Sequence, residues 1–307
     1  MTNHADIYSQ QLFILTGTSG SGKSAISAEL IKKFTNLVYI HGDALIREEC
    51  LQIMNELQPH AFTDVYAALG ENTAYYVFLH SKKDIFFIKN LAGNPALIQA
   101  LEVLSRLFVD NKQYMAKWQN RIHVRLFKII QDSLANGHAV LVDMVLDQVG
   151  LNRFKQFMPH IINVYVPLKQ LLEYTWLRNK RAIKENTLVD FRQPSMVCSQ
   201  LGMFVSNKSK PNMSHIILEE IRQDEVKGIL TRSIQDHQQL GVYIDTDVEK
   251  LFMQLSENLN LKYYNRFYAR IHANIVLNSR NLAWNNLIEV IYRYMDEVIN
   301  QRKLSGP

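Results

Sequence analysis

Short uninterrupted apolar runs alternate along this chain with longer stretches in which apolar positions recur every three or four residues. Gln11–Thr16 (QLFILT) is the first run and stops at Gly17. From Lys23 onward, Ile26, Leu30, Ile31 and Phe34 keep helical spacing, and Leu37–Ile40 (LVYI) forms a second run closed by His41-Gly42-Asp43. Strand, glycine loop, helix and strand within about thirty residues make a βαβ unit, which implies a parallel sheet.

Residues 44–136 read mostly as helices. Leu45, Ile46, Cys50, Ile53, Met54 and Leu57 share one face, which ends before Pro59. Further helices are expected over Ala96–Val109 and about Trp118–Ala135, the latter stopped by Asn136-Gly137. Two buried strands follow, Ala139–Val142 and Ile161–Val166, the second ended by Pro167 and a helix over 168–184. Residues 186–265 break this rhythm. A polar loop (206–212), a helix (215–240) and a short apolar piece (242–244) read as an insertion or lid. Ile271–Leu277 gives a last strand, and Trp284, Leu287, Ile288, Ile291, Met295, Val298 and Ile299 mark a closing amphipathic helix. The expectation is one α/β domain over residues 1–307, with five parallel strands and helices on the sheet. Helical insertions fall at about 59–117 and 186–265, and the last strand and helix at about 268–302.

Composition narrows the class without naming a function. The 307 residues are 47% hydrophobic and 21% charged, too apolar for a disordered chain. With 34 Lys plus Arg against 29 Asp plus Glu, the formal charge is +5. The basic residues are spread along the chain, so charge alone does not identify a nucleic-acid partner. Two cysteines, Cys50 and Cys198, form no disulfide framework or metal spacing. No H-x-x-x-H pair occurs, and no structural zinc is expected. No signal-peptide pattern opens the chain and no apolar run approaches a membrane span, so it reads as soluble and cytoplasmic.

The strongest chemical signal is Gly17-Thr18-Ser19-Gly20-Ser21-Gly22-Lys23-Ser24, a full match to G-x-x-x-x-G-K-[ST]. A random chain of this length would match about once in a hundred, and this match also sits between a strand and a helix. Glycines let successive backbone N–H groups turn inward around phosphates, and the following helix adds its positive end. Lys23 would then reach the β- and γ-phosphates of a bound nucleotide as a point charge, and Ser24 can ligate Mg²⁺.

Such a site needs a second acid at the end of a neighbouring strand. Asp143, directly after Ala139–Val142, is placed for the metal side, its rival role being a turn or cap residue. Asp43 ends the second strand, where ligands of parallel sheets sit, and is placed to orient an acceptor hydroxyl and take its proton. An N-cap of a helix from Ala44 is its other reading, and no Glu or Gln at position 46 completes a capping box. Arg178 and Arg181 share a helix face and suit a transferring phosphoryl group, or a solvated basic face. Arg47 is a weaker candidate for an anionic substrate group. Tyr75, Tyr76, Phe78, Phe86 and Phe87 read as core, and Lys208 and Lys210 as a solvated loop.

Four blocks, FILTGTSGSGKS, YIHGDALI, GHAVLVDMVL and INVYVPLKQLLEYTWLRNKRA, resemble the P-loop small-molecule kinases, with chloramphenicol phosphotransferase-like proteins nearest. The second block is also similar to the Gly-Asp segment of gluconate and adenylylsulfate kinases. The resemblance implies a P-loop NTPase-type sheet in the order 2-3-1-4-5, ATP as donor and an arginine-bearing lid near Arg178 and Arg181. It further implies that Asp43 is the base or acceptor-orienting acid. The chain is considerably longer than that pattern, and the usual small lid after the arginine helix is not recognisable.

The function expected is an ATP- and Mg²⁺-dependent phosphotransferase acting on a hydroxyl of a small molecule, with nucleic acid and membrane not expected as partners. A zeta-toxin-like or nucleotide/polynucleotide kinase belongs to the same chemistry. A nucleotide-binding switch without transfer is the reading from another class.

Overall fold

The computed structural model describes residues 11–17, 21–74, 77, 94–109, 112–145, 148–166, 170, 177, eight positions within 224–235, 273–278 and 282–304. They fall into two compact units. One holds Met1–Gly42, Ile130–Lys180 and Gln193–Pro307, the other Asp43–Ile129 with Arg181–Arg192.

The first unit is built on a sheet of β1 (Leu12–Thr16), β2 (Leu37–His41), β3 (Ala139–Asp143), β4 (His160–Tyr165) and β5 (Ile275–Asn278). The order is β2-β3-β1-β4-β5 with every pairing parallel. β1 and β3 are buried along their whole length, as central parallel strands covered on both faces must be. That is why both read as unbroken apolar runs. Helix α1 (Lys23–Lys33) follows β1, and helix α7 (Trp284–Leu304) follows β5. Between them and the sheet lies a core of Phe13, Leu15, Ile26, Leu30, Leu141, Val164, Leu287, Ile291 and Met295. At about 25 cal/mol per Å² of apolar surface, each such fully buried Leu, Ile or Phe contributes roughly 1.5–3 kcal/mol before conformational entropy is charged.

The second unit is helical. It contains α2 (Gly42–Leu57) from Asp43 on, α3 (Pro59–Leu69), a 3₁₀ turn at Gly70–Asn72, α4 (Pro95–Val109) and α5 (Lys112–Ala135) up to Ile129. Pro59 opens α3 at its first helical position, where a missing N–H costs nothing. α3 packs on α4, and Val65, Leu97, Leu101 and Leu104 are buried. α2 and α5 are tied by charge. Arg125 donates to Glu49 (2.7 Å) and Glu48 (2.8 Å), and Arg121 donates to both carboxylate oxygens of Glu56 (2.7 and 2.8 Å). The Arg121 Nε lies 2.9 Å from Glu49 Oε2 without hydrogen-bond alignment, so that contact is ionic. α5 ends at Gly137, whose φ of 77° needs glycine and lets residues 137 and 138 close the last turn onto Leu134 and Ser133. A short helix α6 (Gln148–Phe154) leads into β4. No helix among the described residues is long and apolar enough to cross a membrane.

Several element boundaries differ from the sequence expectation. α5 begins at Lys112, β4 at His160, and β5 covers 275–278 in place of 271–277. β5 starts late because Asn274 sets it: its backbone N–H donates to Ile161 O, and its side-chain oxygen accepts from Ile161 N. Of the helix expected over 215–240, the described positions between 224 and 235 are helical, as are 170 and 177 of the helix expected over 168–184. The expected loop at 206–212, the piece at 242–244 and the aromatic stretch 75–87 lie outside the described residues, except Val77, which is helical and buried.

Candidate functional site

β1 delivers the chain to Gly17 at the carboxyl end of the sheet. A Cβ on Gly17 would collide with the carbonyl oxygen of Val164 and come within 2.8 Å of Ser21 Oγ, so only glycine lets this loop pass so close to β4. Gly22 ends the loop with φ 90°, a left-handed conformation, and its carbonyl accepts the first helical hydrogen bond, from Ile26. No side chain caps the start of α1, and its first turn contains no acid. Among the described residues, therefore, no capping side chain covers the amide donors there and no first-turn carboxylate neutralises them. Ser21 is buried, and its hydroxyl has no hydrogen-bond partner among the described residues. Lys23 is 8% exposed and donates from Nζ to Gly17 O at 3.1 Å, which holds the ammonium against the loop. Trp284, 45% exposed at the start of α7, flanks Gly22, its ring 3.7 Å from where a Cβ would stand.

Sheet register then decides which acid meets Ser24. Leu15 and His41 both stand opposite Asp143, and side chains alternate along each strand. Leu141 faces the α1 side of the sheet, so Asp143, two residues on, faces it too. The first turn of α1 lies there. Ser24 Oγ donates to Asp143 Oδ2 at 2.8 Å, across 119 residues of sequence, and Asp143 is 2% exposed. Two residues of β2 complete the cluster. Tyr39 donates its hydroxyl to the same Asp143 oxygen at 3.3 Å, and His41 Nε2 lies 3.4 Å from Ser24 Oγ. Gly42 follows β2 so closely against β3 that a Cβ would stand 2.8 Å from Met144 Cβ.

Gly17, Ser21, Gly22, Lys23, Ser24 and Asp143 are thus brought together in one unit. Asp43 belongs to the second unit. It lies exposed in the first turn of α2, which begins at Gly42 and not at Ala44, so it does not cap that helix from outside. Arg47 forms a loose, exposed ion pair with Glu71 at 3.8 Å. Thr18, Ser19, Gly20, Arg178 and Arg181 lie outside the described residues. The sequence reading missed Tyr39, His41 and Trp284. The available signal was the Tyr and His at alternate positions of LVYIH, two polar side chains on one face of an otherwise apolar strand.

Chemically, the cluster offers a lysine ammonium, a helix start without an acid, and a hydroxyl–carboxylate pair of hard oxygens. That set suits a polyanion accompanied by a hard divalent cation.

These residues define an α/β protein whose parallel sheet carries a polar cluster at its carboxyl edge. No family model matches the chain, and no curated protein and no solved structure matches it either.

Proposed function

We propose that this chain is a P-loop, ATP-dependent phosphotransferase that moves the γ-phosphate to a hydroxyl of a small molecule. The observation that carries the reading is the 2.8 Å bond from Ser24 to buried Asp143, beside a loop with the full G-x-x-x-x-G-K-[ST] pattern. A chance glycine turn has no need of a hydroxyl–carboxylate pair from α1 and β3 at its mouth.

In this reading the amides of Gly17–Ser24 cradle the phosphates of ATP, and Lys23 moves from the Gly17 carbonyl to the β- and γ-oxygens. Ser24 and Asp143 would hold Mg²⁺. One hydroxyl and one carboxylate fit that ion, which keeps waters and phosphate oxygens in its other positions. When bound, Mg²⁺ screens the phosphate charge that builds during transfer. The acceptor oxygen bonds to the γ-phosphorus, the bond to the departing ADP oxygen breaks, and Asp43 takes the acceptor's proton. Arg178 and Arg181 offset the charge on the moving phosphoryl group.

The test follows γ-labelled ATP into a metabolite extract. Wild type is expected to place label on a new small molecule. Lys23→Ala should cut transfer at least about a hundredfold by removing a donor to the phosphates. Asp43→Asn should keep ATP binding and lose roughly 10²–10⁴ of the rate, the usual contribution of a positioned base. ATP binding with no transfer in any extract would favour a nucleotide-binding switch. No binding would remove the nucleotide reading.

A further inference from the structure

The proposed chemistry uses Ser24 and Asp143 and leaves the rest of their cluster without a task. Tyr39 is the unexplained member. Its ring is half-buried and packs on the core between α1, α7 and the sheet, work a phenylalanine would do equally well. Its hydroxyl instead reaches across from edge strand β2 to the 2%-exposed carboxylate of Asp143.

Both donors to that carboxylate, Ser24 from α1 and Tyr39 from β2, meet the same oxygen, Oδ2. One donor leaves a carboxylate free to swing about its side-chain torsions. Two donors from different elements fix it. Metal ligands are commonly held in this way by neighbours that never touch the ion, and loss of such a neighbour costs about 10–100-fold in metal affinity.

We infer that Tyr39 is a positioning residue whose hydroxyl orients Asp143 toward the cation that accompanies a nucleoside triphosphate. The inference rests on the proposed nucleotide site and adds a residue to it. The predicted effect lies at the low end of that range, about tenfold, because 3.3 Å is a long bond to a carboxylate.

The test measures ATP affinity by titration calorimetry, with Mg²⁺ and again in chelator, for wild type and Tyr39→Phe. The ratio of the two affinities is the metal-dependent increment. Tyr39→Phe should lower that increment about tenfold and leave affinity in chelator unchanged. In an Asp143→Asn background the same substitution should have no effect on the increment, because the residue through which it acts is gone. Equal increments in wild type and Tyr39→Phe would overturn the role of Tyr39 and leave the nucleotide site standing. An equal loss with and without Mg²⁺ would also overturn it, marking Tyr39 as a structural residue. Failure of wild type to bind ATP in either condition would overturn both claims.

Discussion

At the amino end of β4, His160 stacks on Phe13 (5.4 Å between centroids), and its Nδ1 lies 2.7 Å from the Tyr294 hydroxyl. Burial lowers the His160 pKa from its ordinary value and raises that of Tyr294, so both groups are held neutral. The unfolded chain therefore takes up the histidine proton first. Stability from this group is present above the ordinary histidine pKa of about 6.5 and is lost as pH falls below it. The thermal midpoint should fall between pH 7.5 and 5.5, with a shallower fall in His160→Gln. Parallel slopes in the two proteins would show that other groups set the acid limb. His160 and Tyr39 teach the same lesson about legibility. Each has a role set by a partner more than a hundred residues away, Tyr294 and Asp143 respectively. The place of Gly17, Gly22 and Lys23 at the junction of β1 and α1 was legible because it is written in nearly consecutive residues.

Among the elements, the charged seam between α2 and α5 makes the clearest demand. Glu49 is buried and faces Arg121 and Arg125 together, while both arginines remain about a third or more exposed. Glu49→Gln would keep the volume and leave two guanidinium groups short of a counter-charge. We expect a loss of about 1–2 kcal/mol, less than the ~3–5 kcal/mol of a fully buried pair because water screens the arginines. A urea unfolding curve checks this through a lower midpoint at unchanged slope. β1 and β3 were readable because buried parallel strands are apolar on both faces, and α5 ended where Asn136-Gly137 said it would. The start of α5 was not, since the opening KQYMAK mixes polar and apolar residues without a clear helical period. Nor was the start of β5, which Asn274 fixes through a side-chain bond that no periodicity encodes.

On the scale of the whole molecule, each of the two units has its own core, and the proposed nucleotide cluster belongs to the sheet unit alone. A ligand that binds only the folded form stabilises what it binds, by about 2.7 kcal/mol at a hundred times its Kd. With ATP and Mg²⁺ at that level, amides of β1 and β3 that exchange only when the sheet unit opens should slow by about a hundredfold. Lys23→Ala should show no such slowing. Hydrogen exchange resolved by segment is the measurement, and unchanged β1 amides in wild type would count against nucleotide binding there.

The strand order has a further consequence, for synthesis. β1 pairs with β3 and β4 and never with β2, so the two earliest of these five strands in chain order do not pair with each other. Roughly 125 residues separate the end of β1 from the end of β3, about 6–25 s of translation at 5–20 residues per second. Through that interval LFILT, five residues wholly buried in the finished protein, has no sheet neighbour. A nascent chain of this topology holds an apolar strand without its pairing partners while it waits, and such unpaired edges are where aggregation starts.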